Sequence, residues 1–175
     1  MPTNEIPVDF ISRLKIRCKD NGAKARIKRS GGHSAGMSLA EGEMEIMRLR
    51  PPDRNDLFKI YHQVSIWYTL HPMDVRNKSF GKSLAELKTK MKSKTPEREI
   101  LSIVRFNRKQ MILHLPRLIS LLASHKISID YAGLIEDIKY WSKRYKTGSV
   151  QSRWIREYSK IECSETEKEK ENEAC

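Results

Sequence analysis

Residues Asp130–Arg144, DYAGLIEDIKYWSKR, are the stretch that decides the fold. Asp130 is a favourable N-cap, because its carboxylate can accept a hydrogen bond from a backbone N–H of the first helical turn. Apolar side chains follow at helical spacing and form a single face, made of Tyr131, Leu134, Ile135, Ile138, Trp141 and Tyr145. The stretch therefore predicts an amphipathic helix. Its last turn, where the helix dipole favours cations, is expected to hold Lys139, Lys143, Arg144 and Lys146.

The same periodicity recurs along the chain and predicts an all-α fold. Apolar residues repeat at helical spacing in five further long stretches, at residues 10–18, 57–68, 80–91, 111–122 and 150–161. Thr95-Pro96-Glu97 predicts another helix start. Asn21-Gly22 is expected to stop the first helix, and Pro116 is expected to kink a later one or split it in two. No alternation of period two is long enough to predict a strand.

A polar connection at residues 72–79 predicts a boundary between two small helical subdomains. We assign residues 1–75 to an N-terminal helical subdomain and residues 79–161 to a C-terminal helical bundle. Gly31–Gly42 is rich in Gly and Ser and predicts a loop. Residues 162–175 contain almost no apolar side chains, which predicts a disordered acidic C-terminal tail.

The chain is strongly basic. Its 175 residues include 34 Lys and Arg against 22 Asp and Glu, which gives a formal net charge of +12. The tail holds six Glu and two Lys, so residues 1–161 carry +16 by difference. This charge favours a polyanionic partner, with nucleic acid first and an anionic membrane surface second. The membrane is the weaker alternative, because no apolar run approaches a bilayer span and the N-terminus lacks the apolar segment of a signal peptide.

No pattern of residues predicts catalysis, a metal site or a cofactor. The five His are scattered, no carboxylates cluster as a metal-dependent nuclease requires, and no phosphate-binding GxxxxGK[ST] loop is present. Cys18, Cys163 and Cys175 are too widely spaced for a disulfide framework and suit a reducing cytoplasm. We therefore expect a cytoplasmic protein that is not an enzyme. Each Trp lies on an apolar stripe, so we expect core packing rather than base stacking from Trp67, Trp141 and Trp154.

Four segments resemble a known family. Lys19–Arg29, KDNGAKARIKR, resembles the "DNG…IRR" signature of CasB, the small subunit of the type I-E CRISPR surveillance complex Cascade. Ser79–Ala85 is similar to its "SLGRALA" element, and Arg98–Arg108 to its "RRIFQLIRADR" element. Asp130–Arg144 matches its "DWPLMARMLTWWGKR" helix in cap, apolar spacing and terminal basic pair. The four segments follow the family's order, whereas residues 33–56 and the acidic tail depart from its pattern.

The resemblance implies a non-catalytic, all-α protein from a prokaryotic cytoplasm that works inside Cascade with the other subunits and the guide RNA. It implies two copies packed head to tail, binding of single- and double-stranded DNA without sequence preference, and stabilisation of the displaced strand of the R-loop. Carried over position by position, it assigns phosphate contacts to Lys28, Arg29, Lys82, Arg105, Arg108, Arg117, Lys143 and Arg144. Lys24 and Arg26 are second choices. For Arg108 and Arg117, an ion pair or a helix cap between subunits is the structural alternative.

Two rival functions stay open at this level. One is a regulatory protein that binds duplex DNA through a helix-turn-helix in Leu113–Tyr131, and it predicts affinity that depends on sequence. The other is a helical adaptor that binds only proteins, and it predicts no salt-dependent binding to DNA.

Overall fold

The structure is a computed structural model that describes residues 5–31, 55–91, 95–141, 143–145 and 148–160, with the backbone alone at residues 5, 55, 56, 144 and 145. The tail and most of the expected 31–42 loop lie outside the described residues. Within them the chain is all-α, as predicted, apart from two paired strands of two residues each. In chain order the elements are α1 (Glu5–Arg17), α2 (Asn21–Arg29), α3 (Asn55–Leu70), α4 (Phe80–Met91), α5 (Thr95–Ile103), α6 (Arg108–Ser124), α7 (Tyr131–Lys139), β1 (Arg144–Tyr145), β2 (Gly148–Ser149) and α8 (150–160).

The chain divides into two compact units that are not contiguous in sequence. Unit 1 comprises residues 1–77 and 128–139, and unit 2 comprises residues 78–127 and 140–175. The first boundary falls inside the polar connection predicted at residues 72–79. The division otherwise differs from the one expected from sequence, because residues 128–139 belong with the N-terminal unit rather than with 79–161.

Unit 1 is built around α7, which contacts both α1 and α3. The face predicted for this helix is buried, with Tyr131 and Ile135 at 0% exposure. It packs among side chains of the other helices, and the ring of Tyr68 meets the ring of Tyr131 edge to face at 5.4 Å. Fully or almost fully buried beside them are Phe10, Leu14, Ile60, Val64 and Trp67.

The polar connection is docked against the start of α7 within unit 1. Asp130 caps the helix as predicted, because its Oδ1 accepts a hydrogen bond from Gly133 N at 2.8 Å. Its Oδ2 accepts another from Asn77 N at 2.9 Å. The backbone of Asp74 pairs in parallel with that of Ile129. The carboxylate of Asp74, whose side chain is 1% exposed, forms an ion pair with Lys15 Nζ at 2.7 Å. This buried polar cluster fixes where the chain returns to unit 1.

Unit 2 packs its helices around two tryptophans. Trp154 of α8 lies 4.8 Å from Phe80 and 4.9 Å from Trp141, measured between ring centroids. Trp141 and Trp154 are both at 0% exposure, and so are Leu84, Leu87, Met111, Leu115, Leu118 and Leu122. The expectation that the three Trp residues pack in the core is confirmed, since Trp67 of unit 1 is 1% exposed.

The helix predicted for Asp130–Arg144 is shorter than expected. It ends at Lys139, and Trp141 leaves it to join the core of unit 2. The indole N–H of Trp141 donates to the carbonyl oxygen of Phe106 at 2.9 Å, a bond that a continued helix would not direct in this way. Lys143 and Arg144 therefore follow the helix instead of standing in its last turn, so the argument from the helix dipole was wrong for them.

One further local prediction was wrong, and one of the two alternatives given for Pro116 is excluded. Asn21-Gly22 does not end a helix, since Asn21 begins α2 and Asp20 caps it by accepting from Gly22 N at 2.8 Å. Pro116 does not split α6, which runs from Arg108 to Ser124. Proline removes one backbone donor, but apolar side chains on both sides of it hold the helix in the core, namely Met111, Leu115, Leu118, Ile119 and Leu122.

Candidate nucleic-acid interface

The first group of predicted cations lies on α2 of unit 1. The helix buries Ala23 and Ile27 against its neighbours and leaves Lys28 and Arg29 exposed. Lys24 and Arg26 are half-buried, and the guanidinium of Arg26 lies 3.9 Å from the carboxylate of Asp20. Within the described residues, Lys28 and Arg29 have no ion-pair partner, so they are the members of this group available to a ligand.

A buried polar contact fixes α2 to α3. Ser30 Oγ lies 2.6 Å from Ile27 O and 2.7 Å from His62 Nε2. A hydroxyl carries one proton; if Ser30 donates it to Ile27 O, His62 Nε2 must carry a proton and donate to Ser30. Burial lowers the pKa of His62, which keeps the ring neutral. The exposed cations of α2 therefore stand on a helix with a defined position.

A second group surrounds the Trp141–Phe106 hydrogen bond in unit 2. We call Arg105, Phe106, Trp141 and Lys143 the Trp141 corner. The bond joins the turn after α5 to the segment after α7 at 2.9 Å, and each side carries an exposed cation next to the bonded residues. Lys143 Nζ lies 5.0 Å from the ring centroid of Tyr140. Within the described residues, neither cation has a carboxylate partner. The hydrogen bond therefore joins the two segments that carry these predicted cations, which are 38 positions apart in sequence.

Three other predicted residues are not shown as exposed cations without a partner. Arg117 pairs with Glu99 at 3.1 Å, which joins α6 to α5 within unit 2. The contact between subunits given above as the alternative for Arg117 stays a prediction. Arg108 is half-buried at the first position of α6, behind the Asn107 cap, and it has an interaction partner. For Arg144 the structure describes the backbone in β1, and its side chain lies outside the described residues.

The remaining predicted cation, Lys82, lies in a surface groove of unit 2. We call this the lysine groove; its volume is about 700 Å³, and it is lined by Lys78, Lys82, Glu86, Thr89, Lys90, Glu157 and Lys160. Glu86 forms ion pairs with Lys78 at 2.5 Å and with Lys90 at 2.9 Å. The hydrogen bond from Lys78 is the main reason why the pKa of Glu86 is lowered. Lys82 and Lys160 have no ion-pair partner within the described residues.

Sequence reasoning missed three lining residues, Lys78, Lys90 and Lys160. One signal was available, since Lys82, Glu86 and Lys90 follow one another at i, i+4 spacing on one face of α4. No such signal existed for Lys160, because α8 reaches α4 only through the tertiary fold.

Within the described residues, no group of three His, Cys, Asp or Glu could hold a metal ion. No described helix is both long and apolar enough to cross a membrane. The region considered for a helix-turn-helix does not form one compact motif, since residues 113–127 belong to unit 2 and residues 128–131 to unit 1. The fold and the exposed cations together define a class: basic, all-α proteins of two units whose surface suits a polyanion.

Comparison with known proteins identifies the family. Residues 23–158 match the sequence profile of the CRISPR-associated protein Cse2 family. A protein of Thermus thermophilus described as CRISPR-associated protein Cse2 is 27% identical over 181 residues, which covers 99% of this chain and all of that protein. The chain belongs to the Cse2 family.

Solved structures support the same fold. The crystal structure of M. ruber CasB gives a TM-score of 0.74 at 18% identity, over 93% of this chain and 97% of that one. A chain of a structure described as a CRISPR RNA-guided surveillance complex gives a TM-score of 0.78 at 21% identity, over 94% and 98% of the two chains. The family assignment made from sequence and the all-α fold are both confirmed.

Proposed function

We propose that this protein is the non-catalytic small subunit of a type I-E Cascade surveillance complex, in which it binds nucleic acid without sequence preference and stabilises the displaced DNA strand of the R-loop. Membership of the Cse2 family supports the assembly, and so does the likeness to a chain of an RNA-guided surveillance complex. Its partners would be the other Cascade subunits with their guide RNA, single- and double-stranded DNA, and a second copy packed head to tail. The compartment would be the cytoplasm.

The observation that carries the nucleic-acid part is the Trp141 corner. Arg105 and Lys143 are exposed, lack carboxylate partners within the described residues, and lie near a part-buried indole–carbonyl hydrogen bond. Cations held in this way can contact phosphates without first breaking an ion pair or ordering the backbone. They offer no set of base-reading side chains in a groove, which favours binding that ignores sequence.

Small contacts of this kind are enough for the proposed role. Strand displacement exchanges a DNA duplex for a guide–target duplex of similar stability, so the free-energy difference is close to zero. A few phosphate contacts to the displaced strand then shift the balance. Such a role needs no catalytic group on this chain.

The test measures single-strand binding against salt. In Arg105→Ala with Lys143→Ala, we expect weaker affinity and a log–log salt slope that flattens by about 1.4, since each lost single-strand phosphate contact removes about 0.7. Lys143→Ala with Arg144→Ala tests the remaining predicted residue of this region in the same way. In the assembled complex, the corner variant should shorten the lifetime of the R-loop.

The matched control removes an Arg and a Lys elsewhere, Arg13→Ala with Lys59→Ala, of which Arg13 is paired with Asp9 at 2.6 Å. It should leave the slope nearly unchanged. An unchanged affinity and slope in the corner variant would remove these residues from the site. Oligonucleotides of unrelated sequence should bind alike, whereas strong sequence dependence would favour the regulatory alternative.

A further inference from the structure

The lysine groove of unit 2 has more positive charge than its own carboxylates neutralise. Four Lys and two Glu line it, a formal balance of +2. Glu86 is engaged by Lys78 and Lys90. Glu157 accepts a hydrogen bond from Ser79 Oγ at 2.5 Å. Lys82 and Lys160 therefore remain for a ligand, and they come from different helices.

A close contact between two helices lies beside the groove. A Cβ on Gly81 would lie 2.8 Å from Trp154 O and 2.9 Å from Trp154 Cα, so α4 and α8 touch backbone to backbone there. Lys82 is the next residue after this contact. Lys160 lies six residues beyond Trp154 on α8. The contact therefore sets where the backbones of α4 and α8 lie beside the groove, and each helix contributes one of the two lysines.

The chain supplies such a ligand at the edge of the groove. The acidic segment, residues 162–175, begins two positions after Lys160 and carries six Glu and two Lys. Five of its acids occur at every second position: Glu165, Glu167, Glu169, Glu171 and Glu173. In an extended chain alternate residues point to opposite sides, about 6.7 Å apart on each side. That conformation would separate these five acids from Lys168 and Lys170.

We propose that the acidic segment 162–175 binds in the lysine groove of its own chain and blocks it until a polyanion displaces the segment. The assignment of the occupant rests on charge complementarity and on the point where the segment begins. A ligand tied so close to its site has an effective concentration of about 1 mM, so even weak binding fills the groove. Salt should release it, because the Debye length falls to about 3 Å at 1 M.

The first experiment tests the contact itself, without nucleic acid. Zero-length carbodiimide coupling joins a Glu carboxylate to a Lys amine only where the two meet, and mass spectrometry of the digest locates the bond. In the full chain at low salt, we expect crosslinks from the acidic segment to Lys82, Lys90 and Lys160 within one molecule. High salt should abolish them.

Lys59 and Lys109 are the matched control sites, since both are exposed and lie outside the groove. Crosslinks to them as frequent as those to the groove lysines would overturn the proposal, as would crosslinks that resist salt. Crosslinks found only between two molecules would assign the groove to a second copy and overturn it as well.

The second experiment tests whether the acidic segment excludes single-stranded nucleic acid from the lysine groove. This part rests on the proposed function. Replacing the five alternating Glu by Gln should tighten single-strand binding at low salt, by about tenfold for a segment that binds the groove with a dissociation constant of about 0.1 mM at an effective concentration of about 1 mM. The gain should vanish when Lys82→Ala and Lys160→Ala are also present.

The two experiments fail separately. If the crosslinks form but neither the groove nor the segment affects single-strand affinity, the groove binds the segment and its role in nucleic-acid binding is wrong. If the groove variants weaken single-strand binding but no crosslinks form, nucleic acid is the occupant. The proposed function then stands and this inference does not.

Discussion

The hydroxyl of Tyr131 connects the first turn of α7 to the end of α3. It donates to His71 O at 2.7 Å, directly after the end of α3, and lies 3.4 Å from Trp67 O, which also accepts from His71 N at 2.9 Å. Burial raises the pKa of this hydroxyl far above its ordinary value, so it remains a donor at every pH where the protein is folded. We expect Tyr131→Phe to lower the free energy of unfolding by about 1–3 kcal/mol, because it leaves a buried acceptor unpaired. Denaturant unfolding measures the loss.

Tyr158 offers the matched control for that variant. Its hydroxyl is also buried but has no hydrogen-bond partner within the described residues. Tyr158→Phe removes the same atom and should leave stability unchanged or slightly higher. Equal losses in the two variants would show that the Tyr131 hydroxyl is not the cause.

Gly81 is the residue that permits the contact of α4 with α8. Alanine favours a helix over glycine by about 1 kcal/mol, but its Cβ would meet the backbone of Trp154 at 2.8 Å. Overpacking of this kind costs about 1–3 kcal/mol, so we expect Gly81→Ala to destabilise the protein on balance. At Gly22 the nearest atom would be a side-chain oxygen of Asp20 at 3.3 Å, which can move. Thermal unfolding should therefore separate Gly81→Ala from Gly22→Ala, and equal melting temperatures would contradict the close contact.

At the scale of elements, the pairing of α2 with α3 depends on a neutral histidine. Burial lowers the pKa of His62 in the folded protein, so the unfolded chain takes up a proton first as the pH falls. The contribution of neutral His62 to the free energy of unfolding should be fully present above about pH 6.5, the ordinary pKa of histidine. It should decline as the pH drops from there through the lower pKa that His62 has in the folded protein. The decline contributed by one such group is at most about 1.4 kcal/mol per pH unit.

His62→Gln is the informative variant, because its amide can still donate to Ser30 Oγ but cannot titrate. We expect it to lose less stability than the wild type between pH 7.5 and 5.5 in denaturant titrations. Identical slopes in the wild type and in His62→Gln would contradict the role of His62.

Features of these elements could be predicted from sequence where they depend on neighbouring residues, and could not where they depend on residues distant in sequence. The cap at Asp130 is a local hydrogen bond, and it occurs as the sequence indicates. The end of α7 could not be predicted, because Trp141 leaves the helix to form a hydrogen bond with Phe106 and a ring contact with Trp154, and both partners are distant in sequence. Sequence could not exclude a split at Pro116 for the same reason, since packing of both halves of α6 keeps the helix continuous despite the loss of one backbone bond.

The same distinction holds for the candidate site. Net charge and motif order indicated a polyanion partner and located Lys28, Arg29, Lys82, Arg105 and Lys143, which are exposed in the structure. Sequence could not show that Arg117 is paired with Glu99. It also could not show that Lys160 joins Lys82 across the contact at Gly81. Local chemistry is visible in sequence, whereas the distribution of free and paired cations depends on the tertiary structure.

For the whole molecule, the decisive feature is that each unit is built from two separate segments. Residues 128–139 complete unit 1 after the chain has formed much of unit 2. The apolar face of α7 is almost entirely buried in unit 1, including Leu134 and Ile138 at 1% exposure each. A fragment of residues 1–77 therefore lacks a central helix of its own core, and we expect it to show no cooperative unfolding transition.

A fusion can restore the missing segment directly. Asn77 N lies 2.9 Å from Asp130 Oδ2, and Val75 N donates to Ile129 O at 3.1 Å, so residues 77 and 128 come close together in unit 1. Joining residues 1–77 to residues 128–139 through a short Gly-Ser linker should give a protein with a cooperative transition by circular dichroism. In the same fusion, Leu134→Asp is the control and should abolish the transition, because it buries an unpaired charge. A cooperative transition in the 1–77 fragment alone would show that unit 1 does not need α7. A fusion no more ordered than that fragment would show that residues 128–139 are not sufficient to complete the unit.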